Sequence, residues 1–587
     1  MNYNKYKKSI MKEVIIALFI LSLFTNFINS QMTPFEKNKL TSATYDQCIE
    51  FYKSLDKEFE QIKMIEEGET DIGKPLHLVI ISKDKIFEPD EIRESGKVIL
   101  FVNNGIHPGE PDGIDASMML VRDLAEGTNK NLLDNVVIIL IPVYNIDGAL
   151  NRNNFTRANQ IGPLEYGFRG NSENRDLNRD FIKCDTKNAR SFIKIFRKWK
   201  PELFVDTHTT DGADYPYVMT YIATQHNKLE QPLADYLTGK LVPFLEEDMK
   251  QKKWEMCPYV TTFKSTPDTG IVEFPETPRY STGYASLFNT IGFVSETHML
   301  KTHEQRVWAT YEFLISTLKI ANSDYQTITA NKKFADENSK NKNEFVLEWT
   351  LDSANAGRIS FKGYEAKYKP SEISGFNRLY YDKNSQWEKE IDFYNNYIPK
   401  QSITKPIAYI VPQGWWQVVE LLKLNDVKTE RLDEDKLMEV ESYYIETFDT
   451  RTPPYEGHYQ HSNVKLRKVS GVRKFFKGDY IVYTNQDCNN FIISVLEPQG
   501  IDSYFSWNFF DAILQQKESF DPYLFEDIAD NLLNSKLGLK EQFEQKKAAD
   551  EKFRNDGAAQ LKFIYDNTIL EPEFMRYPVA RVVNIND

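Results

Sequence analysis

Two short apolar runs, each followed by a histidine, constrain the fold of this chain more than any other feature. Residues 98–102 precede His107-Pro-Gly-Glu110, and residues 204–206 lead directly to His208. Short apolar runs of this kind form buried strands, and open α/β sheets place their ligands at the carboxyl ends of strands. The pattern therefore predicts an α/β fold in which His107, Glu110 and His208 lie at neighbouring strand ends.

The donor types of these three residues predict a catalytic zinc site. A catalytic zinc takes three protein ligands and keeps a further position open, whereas structural zinc sites favour cysteines, and this chain has only four scattered cysteines. With eight histidines and 86 acidic residues, about one His-x-x-acid pair arises by chance. The strand context of both histidines favours the metal site, with one Zn²⁺ per chain held by His107, Glu110 and His208.

Two further blocks carry side chains suited to peptide chemistry. Asn178 and Arg179 are adjacent, and a guanidinium group can grip a carboxylate with two parallel hydrogen bonds. Glu296 ends another predicted strand, and a glutamate beside zinc can move the proton of an attacking water. His298 faces the same side of that strand as Glu296, so it either orients the glutamate or makes a structural hydrogen bond.

The ordered set of blocks HPGE, VYNIDG, DLNRDF, DTHTTDG and SETH, over residues 40–320, resembles the zinc metallocarboxypeptidase family, the carboxypeptidase A-like peptidases. The resemblance implies the same zinc ligands, a terminal-carboxylate grip by Asn178 and Arg179, and Glu296 as general base and acid. It also implies that Arg169 polarises the scissile carbonyl group. A substrate-capping tyrosine is expected upstream of Glu296, and the candidates are Tyr280 and Tyr284.

Three functions are compatible with these residues. The leading one is a secreted zinc-dependent carboxypeptidase that hydrolyses C-terminal residues of peptides, with a zinc-activated water and Glu296. The alternative is a zinc amidase or deacylase acting on cell-wall stem peptides or N-acyl amino acids; the third is a non-catalytic peptide- or carbohydrate-binding protein. The SETH block and the chain length favour the peptidase. The net charge of −14 argues against a nucleic-acid partner, so the expected partner is a peptide with a free C-terminal carboxylate.

The N-terminus predicts export. Lysines at positions 5, 7, 8 and 12 precede an apolar run over 14–24, the pattern of a secretory signal over residues 1–30. The run is shorter than the ~20 residues that a spanning helix needs, although an uncleaved anchor is the alternative. We therefore expect a secreted or periplasmic protein without a stable membrane anchor.

Helices that alternate with apolar strands predict an α/β sandwich with a mixed sheet over 31–322, and the resemblance implies that this sandwich is carboxypeptidase-like. Strands are expected at 76–81, 98–102 and 136–143, and helices at 40–65, 187–199, 229–247 and 307–320. Residues 323–342, rich in Asn, Lys and Ser, read as a linker. Residues 343–587 predict an accessory mixed α/β region with strands at 480–483 and 491–496 and a helical end over 505–570.

Overall fold

The computed structural model describes residues 32–569 and 572–584. The predicted signal segment, residues 1–30, lies outside the described residues. The chain divides into two units: the first runs to Thr404 and also takes in Leu421–Val427 and Asn485–Ile493. The second comprises Lys405–Glu420, Lys428–Thr484 and the chain from Ser494 onwards. The domain end predicted at 322 therefore falls inside the first unit.

A mixed eight-stranded sheet forms the centre of the first unit. Up to residue 298 the strands are β1 (Ile62–Glu69), β2 (Pro75–Ile81), β3 (Val98–Asn103), β4 (Val136–Ile141), β5 (Leu203–Thr210), β6 (Met219–Ala223), β7 (Met256–Pro258), β8 (Thr261–Thr262), β9 (Ile271–Val272) and β10 (Ile291–His298). The sheet order is β1-β2-β4-β3-β5-β10-β6-β7. Strand β3 is parallel to β4 and β5, and β5 is parallel to β10, whereas β1–β2, β2–β4 and β6–β10 are antiparallel. This confirms the predicted mixed sheet.

Helices precede, separate and follow these strands along the chain. They are α1 (Pro34–Lys37), α2 (Tyr45–Glu58), α3 (Pro89–Glu94), α4 (Asp112–Ala125), α5 (Ile146–Leu150), α6 (Lys187–Trp199), α7 (Gln231–Tyr236), α8 (Val242–Gln251), α9 (Ser281–Ser286), α10 (His303–Ser323) and α11 (Tyr325–Asn341). The side chains of Thr44, Thr186 and Thr302 cap α2, α6 and α10: each accepts a hydrogen bond from a backbone N–H in the first turn of its helix. Such a bond stabilises the start of a helix. Strands β3, β4 and β5 are buried along their whole length, as expected of strands covered on both faces.

Two local predictions for the first unit were wrong. The helix expected over 40–65 ends at Glu58, and Ile62 begins β1 because pairing with Ile81 of β2 outweighs the continued helical spacing. The expected linker is largely helix α11. Ile328, Lys332, Ala335 and Ser339 are buried at helical spacing on its inner face.

Further strands extend the first unit to Thr404. They are β11 (Glu344–Leu351), β12 (Gly357–Pro370), β13 (Asn377–Tyr394) and β14 (Tyr397–Thr404). Strands β11 and β14 form a two-stranded sheet, and β12 and β13 continue into β9 and β8. The long hairpin β12–β13 therefore belongs to the same unit as the mixed sheet, not to a separate accessory region.

The second unit has its own six-stranded antiparallel sheet, in the order β16-β19-β15-β20-β17-β18. Its strands are β15 (Ala408–Val411), β16 (Glu430–Arg431), β17 (Lys436–Thr450), β18 (His461–Phe475), β19 (Tyr480–Tyr483) and β20 (Ala580–Val582). The later helices are α12 (Trp416–Leu424), α13 (Asn489–Leu496), α14 (Pro522–Ser535), α15 (Leu539–Ala549), α16 (Glu551–Arg554) and α17 (Gly557–Thr568). The strand expected over 491–496 is helix α13, because a short apolar run alone does not distinguish a buried helix from a buried strand. In the described part of the chain, every helix is too short or too polar to cross a membrane.

Candidate active site and metal centre

His107, Glu110 and His208 come together at the carboxyl ends of β3 and β5. The two strands are parallel neighbours, with Asn103 aligned to Asp206, so the loop after β3 and the end of β5 meet. One nitrogen of each histidine and one oxygen of Glu110 lie within 4.8 Å of one another, and all three residues are buried. The shortest of these contacts joins His208 Nδ1 to Glu110 Oε2 at 3.1 Å.

Two outer carboxylates orient the histidine rings. His107 Nε2 lies 2.9 Å from Asp176 Oδ1, and His208 Nε2 lies 3.1 Å from Asp206 Oδ2. A carboxylate accepts hydrogen bonds, so each Nε2 carries the proton and each Nδ1 presents its lone pair to the centre, as in other metal-ligating histidines.

The donor set fits a zinc ion. His107 Nδ1 is buried and has no hydrogen-bond partner among the described residues, an arrangement that is costly unless a ligand satisfies the atom. Two imidazole nitrogens and one carboxylate oxygen are ligands that zinc takes in catalytic sites, with a further position left open. His107, Glu110 and His208 could therefore hold the metal.

Arg157 is a neighbour of the centre that the sequence did not single out. Its Nη1 donates to Glu110 Oε1 at 2.8 Å, and its Nη2 donates to the Thr209 carbonyl oxygen at 3.2 Å. Burial opposes ionisation of Glu110, but Arg157 and His107 hold its pKa well below the usual range. A Cβ at Gly109 would lie 2.7 Å from Cδ of Arg157, so the glycine of HPGE provides the space for this side chain.

Glu296 faces the metal ligands from the neighbouring strand. Strand β10 pairs with β5 so that Glu296 aligns with His208, and aligned residues of parallel strands share a face of the sheet. Burial raises the pKa of Glu296 to about 8, with His208 opposing the shift and Glu110 adding to it. A carboxyl group with a pKa near neutrality is suited to both accepting and donating a proton.

Asn178 and Arg179 occupy a short turn that Asp176 stabilises by accepting the Asn178 backbone N–H at 2.9 Å. Asn178 Oδ1 accepts the Ser281 backbone N–H at 3.1 Å, so the amide NH₂ is the end that remains for a ligand. The Arg179 guanidinium carbon lies 4.3 Å from the centre of the Tyr280 ring. Its Nη1 donates to the Asn178 carbonyl oxygen at 2.8 Å, and a guanidinium group has a planar fork that matches the geometry of a carboxylate.

Arg169 contacts both the metal ligand Glu110 and Asp176, the residue that stabilises this turn. Its Nε donates to Asp176 Oδ2 at 3.0 Å, and its Nη1 lies 3.5 Å from Glu110 Oε1. Arg169 lines the same cavity as the metal ligands, Glu296, Asn178 and Arg179; the cavity measures about 730 Å³. This volume is within the range of ligand-binding clefts.

Comparison with known proteins agrees with this geometry. Residues 48–241 match the family described as zinc carboxypeptidase. Carboxypeptidase 2 of Trichophyton rubrum is 23% identical over 427 residues, which cover 70% of this chain and 74% of that protein. Carboxypeptidase 2 of Trichophyton equinum is 22% identical, over 74% of this chain and 77% of that protein. Residues 48–241 are therefore similar to a zinc carboxypeptidase domain. The enzyme class predicted from the sequence, a zinc metallocarboxypeptidase, is confirmed.

Solved structures also resemble this chain over about half of its length. A putative carboxypeptidase A from Shewanella denitrificans has a TM-score of 0.36 and 15% identity, covering 48% of this chain and 69% of that one. The carboxypeptidase A from Helicoverpa armigera has a TM-score of 0.36 and 16% identity, covering 48% and 74%.

One residue predicted for the site, Tyr284, lies away from the cavity. Tyr284 is fully buried on the inner face of α9, and its hydroxyl donates to Asn425 Oδ1 at 2.8 Å. Its ring packs against Phe181 and Phe196. The sequence could not separate Tyr284 from Tyr280, which does line the cavity, because the face of α9 that turns inward depends on its neighbours.

His298 makes the structural hydrogen bond that was one of its two expected roles. Its Nε2 donates to the Ala213 carbonyl oxygen at 2.9 Å, and its Nδ1 accepts the Leu300 backbone N–H at 3.1 Å. Both ring nitrogens are therefore engaged away from Glu296.

Proposed function

We propose that the chain is a secreted zinc-dependent carboxypeptidase that hydrolyses the last peptide bond of peptides with a free terminal carboxylate. The observation that carries the proposal is one cavity lined by the three candidate zinc ligands, by Glu296, and by Asn178 and Arg179. An endopeptidase, which cleaves bonds within a peptide, would not need a guanidinium–amide pair beside its metal centre to bind a terminal carboxylate. The basic and apolar residues before position 31 favour export.

The zinc ion and the side chains around it would each contribute to the hydrolysis. When one zinc ion is bound by His107, Glu110 and His208, it supplies a Lewis acid that polarises the scissile carbonyl group and acidifies water. Glu296 takes a proton from the attacking water and passes it to the leaving amine. Arg169 stabilises the negative charge that develops on the carbonyl oxygen.

Substrate positioning comes from the turn beside the centre. The Arg179 guanidinium group grips the terminal carboxylate, and the Asn178 NH₂ donates to it. Because the substrate is held at its terminal carboxylate, its last peptide bond lies beside Glu296. Binding therefore also orients the reacting groups. A peptide without a free carboxylate loses this orientation.

The test combines zinc analysis with release of the C-terminal residue, measured as the free amino acid from an N-blocked dipeptide and as the amino acid amide from its C-terminal amide. We expect zinc-dependent release from the acid and little from the amide. Equal cleavage of both would favour the zinc amidase, and zinc binding without release would favour a non-catalytic binding protein.

A glutamate variant tests the proton transfer. Glu296→Gln keeps the shape of the side chain but cannot accept a proton, so turnover should fall by ~10²–10⁴-fold with unchanged zinc content. The matched control is Glu165→Gln: this carboxylate is exposed and lies 3.9 Å from Arg152, so its replacement should leave turnover unchanged. Normal turnover of the Glu296 variant would contradict its role.

A further inference from the structure

The second unit contains a cavity of its own, of about 280 Å³. Its wall is formed by Pro412 and Trp415 after β15, by Arg473 of β18, and by the segments 512–517 and 573–578. The Met575 backbone amide donates to the Ile513 carbonyl oxygen at 2.9 Å and so joins the last two segments. Among the described residues, none lines both this cavity and the one with the metal centre. The volume suits one small molecule.

Most of the wall is apolar. The apolar side chains that line the cavity include Pro412, Trp415, Ile513, Phe574 and Pro578. The Trp415 ring packs against the ring of Phe510, with 4.9 Å between the ring centres, so its position is fixed by the fold. Aromatic side chains offer a large apolar surface and stack on other rings. The wall is therefore suited to the apolar body of a ligand.

Arg473 brings a positive charge to this apolar wall. Its Nη1 donates to Ser442 Oγ at 3.2 Å, and its guanidinium carbon lies 5.1 Å from the centre of the Phe475 ring. The Glu573 carboxylate also lines the cavity, but it is paired with Arg576. Within the described part of the chain, Arg473 has no ion-pair partner, and the hydrogen bond to Ser442 is the one bond that its side chain makes.

The surroundings of Arg473 leave its charge uncompensated. Burial lowers the pKa of Arg473 to about 10, and the charge of Arg576 adds to the shift, yet the group stays protonated at neutral pH. The Asp479 carboxylate is engaged elsewhere, because it accepts the backbone N–H groups of Gln413 and Phe476 at 3.0 and 2.8 Å. A partly buried cation without a partner is unfavourable, and an entering anion with good geometry offsets that cost.

A carboxylate is the anion that fits this arrangement. A guanidinium group binds a carboxylate with two parallel hydrogen bonds, and one uncompensated guanidinium group balances one negative charge. A phosphate monoester carries about two charges at neutral pH. Lys517 also lines the cavity, but it is exposed and donates to Gln515 Oε1 at 2.8 Å, and exposed charge pairs contribute little.

We propose that the cavity of the second unit binds a small carboxylic acid with an apolar body, such as a single aromatic ring. Arg473 binds the carboxylate, and Trp415 and Phe574 contact the ring. This inference goes beyond the proposed carboxypeptidase function and does not depend on it, because it uses no residue of the metal centre.

The experiment titrates the zinc-loaded full-length protein with phenylacetate in a calorimeter. Wild type is compared with Arg473→Gln and with Arg467→Gln. The latter is the control, because Arg467 is an exposed arginine of the same strand, with its Nε 3.7 Å from Glu446 Oε1, and does not line the cavity. Any binding of phenylacetate at the metal centre is common to all three proteins. We expect wild type and the control to bind one equivalent whose affinity falls by ~10–10²-fold in Arg473→Gln, the range of a charged hydrogen-bonded contact.

Two further probes separate the charge of the ligand from its apolar body. Phenylacetamide keeps the ring and lacks the charge, and acetate keeps the charge and lacks the ring. We expect each to bind the Arg473-dependent site at least ~10-fold more weakly than phenylacetate does.

The outcomes that would overturn the proposal differ from probe to probe. Identical phenylacetate binding by wild type and Arg473→Gln would overturn it outright. Equal affinity for phenylacetamide would refute the role of the charge, and equal affinity for acetate would refute the apolar body. If Arg473→Gln does not fold, Arg473→Lys and Trp415→Ala decide, since each should weaken phenylacetate binding and unchanged affinity in both would overturn the site. Failure of the protein to release amino acids from peptides would contradict the proposed function and leave this inference standing.

Discussion

Replacing Arg179 with lysine tests the carboxylate grip while keeping the positive charge. The guanidinium group lies 4.3 Å from the Tyr280 ring centre and donates to the Asn178 carbonyl oxygen at 2.8 Å, so its plane is held in one orientation. Lysine can make one of the two charge-assisted bonds to a carboxylate; the lost bond contributes ~1.5–3 kcal/mol. Weaker contact with the ring adds ~0.5–1 kcal/mol. The sum of ~2–4 kcal/mol corresponds to a loss of ~30–1,000-fold in kcat/KM.

The assay measures kcat/KM on matched peptides ending in an acid or an amide. The loss should be confined to the acid, because the amide does not use the grip and is a poor substrate from the start. Arg175→Lys is the control: this arginine lies in the same segment and pairs with Glu173 and Asp185, at 3.0 and 2.7 Å, outside the cavity lining. If wild type cleaves acid and amide equally, or if both variants lose activity alike, Arg179 is not a terminal anchor.

Three further variants test the centre and the fold. His208→Ala should lose zinc and activity together, since catalytic zinc rests on three protein ligands, and stoichiometric zinc in this variant would refute the site. Arg157→Gln removes a bond that orients Glu110, so the zinc dissociation constant, measured by chelator competition, should rise by ~10-fold; an unchanged constant would show that Arg157 does not orient the ligand. Burial raises the pKa of Glu202 from 4.5 to about 7. A carboxyl group with a higher pKa in the folded than in the unfolded state destabilises the fold as pH rises between those two values. Glu202→Gln should therefore raise the free energy of unfolding by ~2–3 kcal/mol at about pH 8 and by less than ~1 kcal/mol at about pH 5, and an equal gain at both pH values would contradict this reasoning.

Features that depend on neighbours in sequence were predictable from the chain alone. The continuous apolar runs at 98–102 and 136–143 became buried strands β3 and β4, because only a sheet covered on both faces accommodates them. The segment 187–199 became helix α6 with the predicted bounds. His107, Glu110 and His208, which lie together in the structure, could be predicted to meet because donor type and strand context are both local properties.

Features that depend on distant partners were decided only by the tertiary structure. Strand β1 replaced the end of a predicted helix because β2 offered a pairing edge, and α11 formed where polar composition had indicated a linker. Arg157 reached Glu110 across 47 positions of sequence, a contact that no spacing rule records. Glu276 and Asn178 lie near each other because their side chains accept hydrogen bonds from two consecutive backbone amides at the start of α9. The sequence determined which side chains could do the chemistry; packing determined which of them share a cavity, because burial and charge pairing depend on the whole fold.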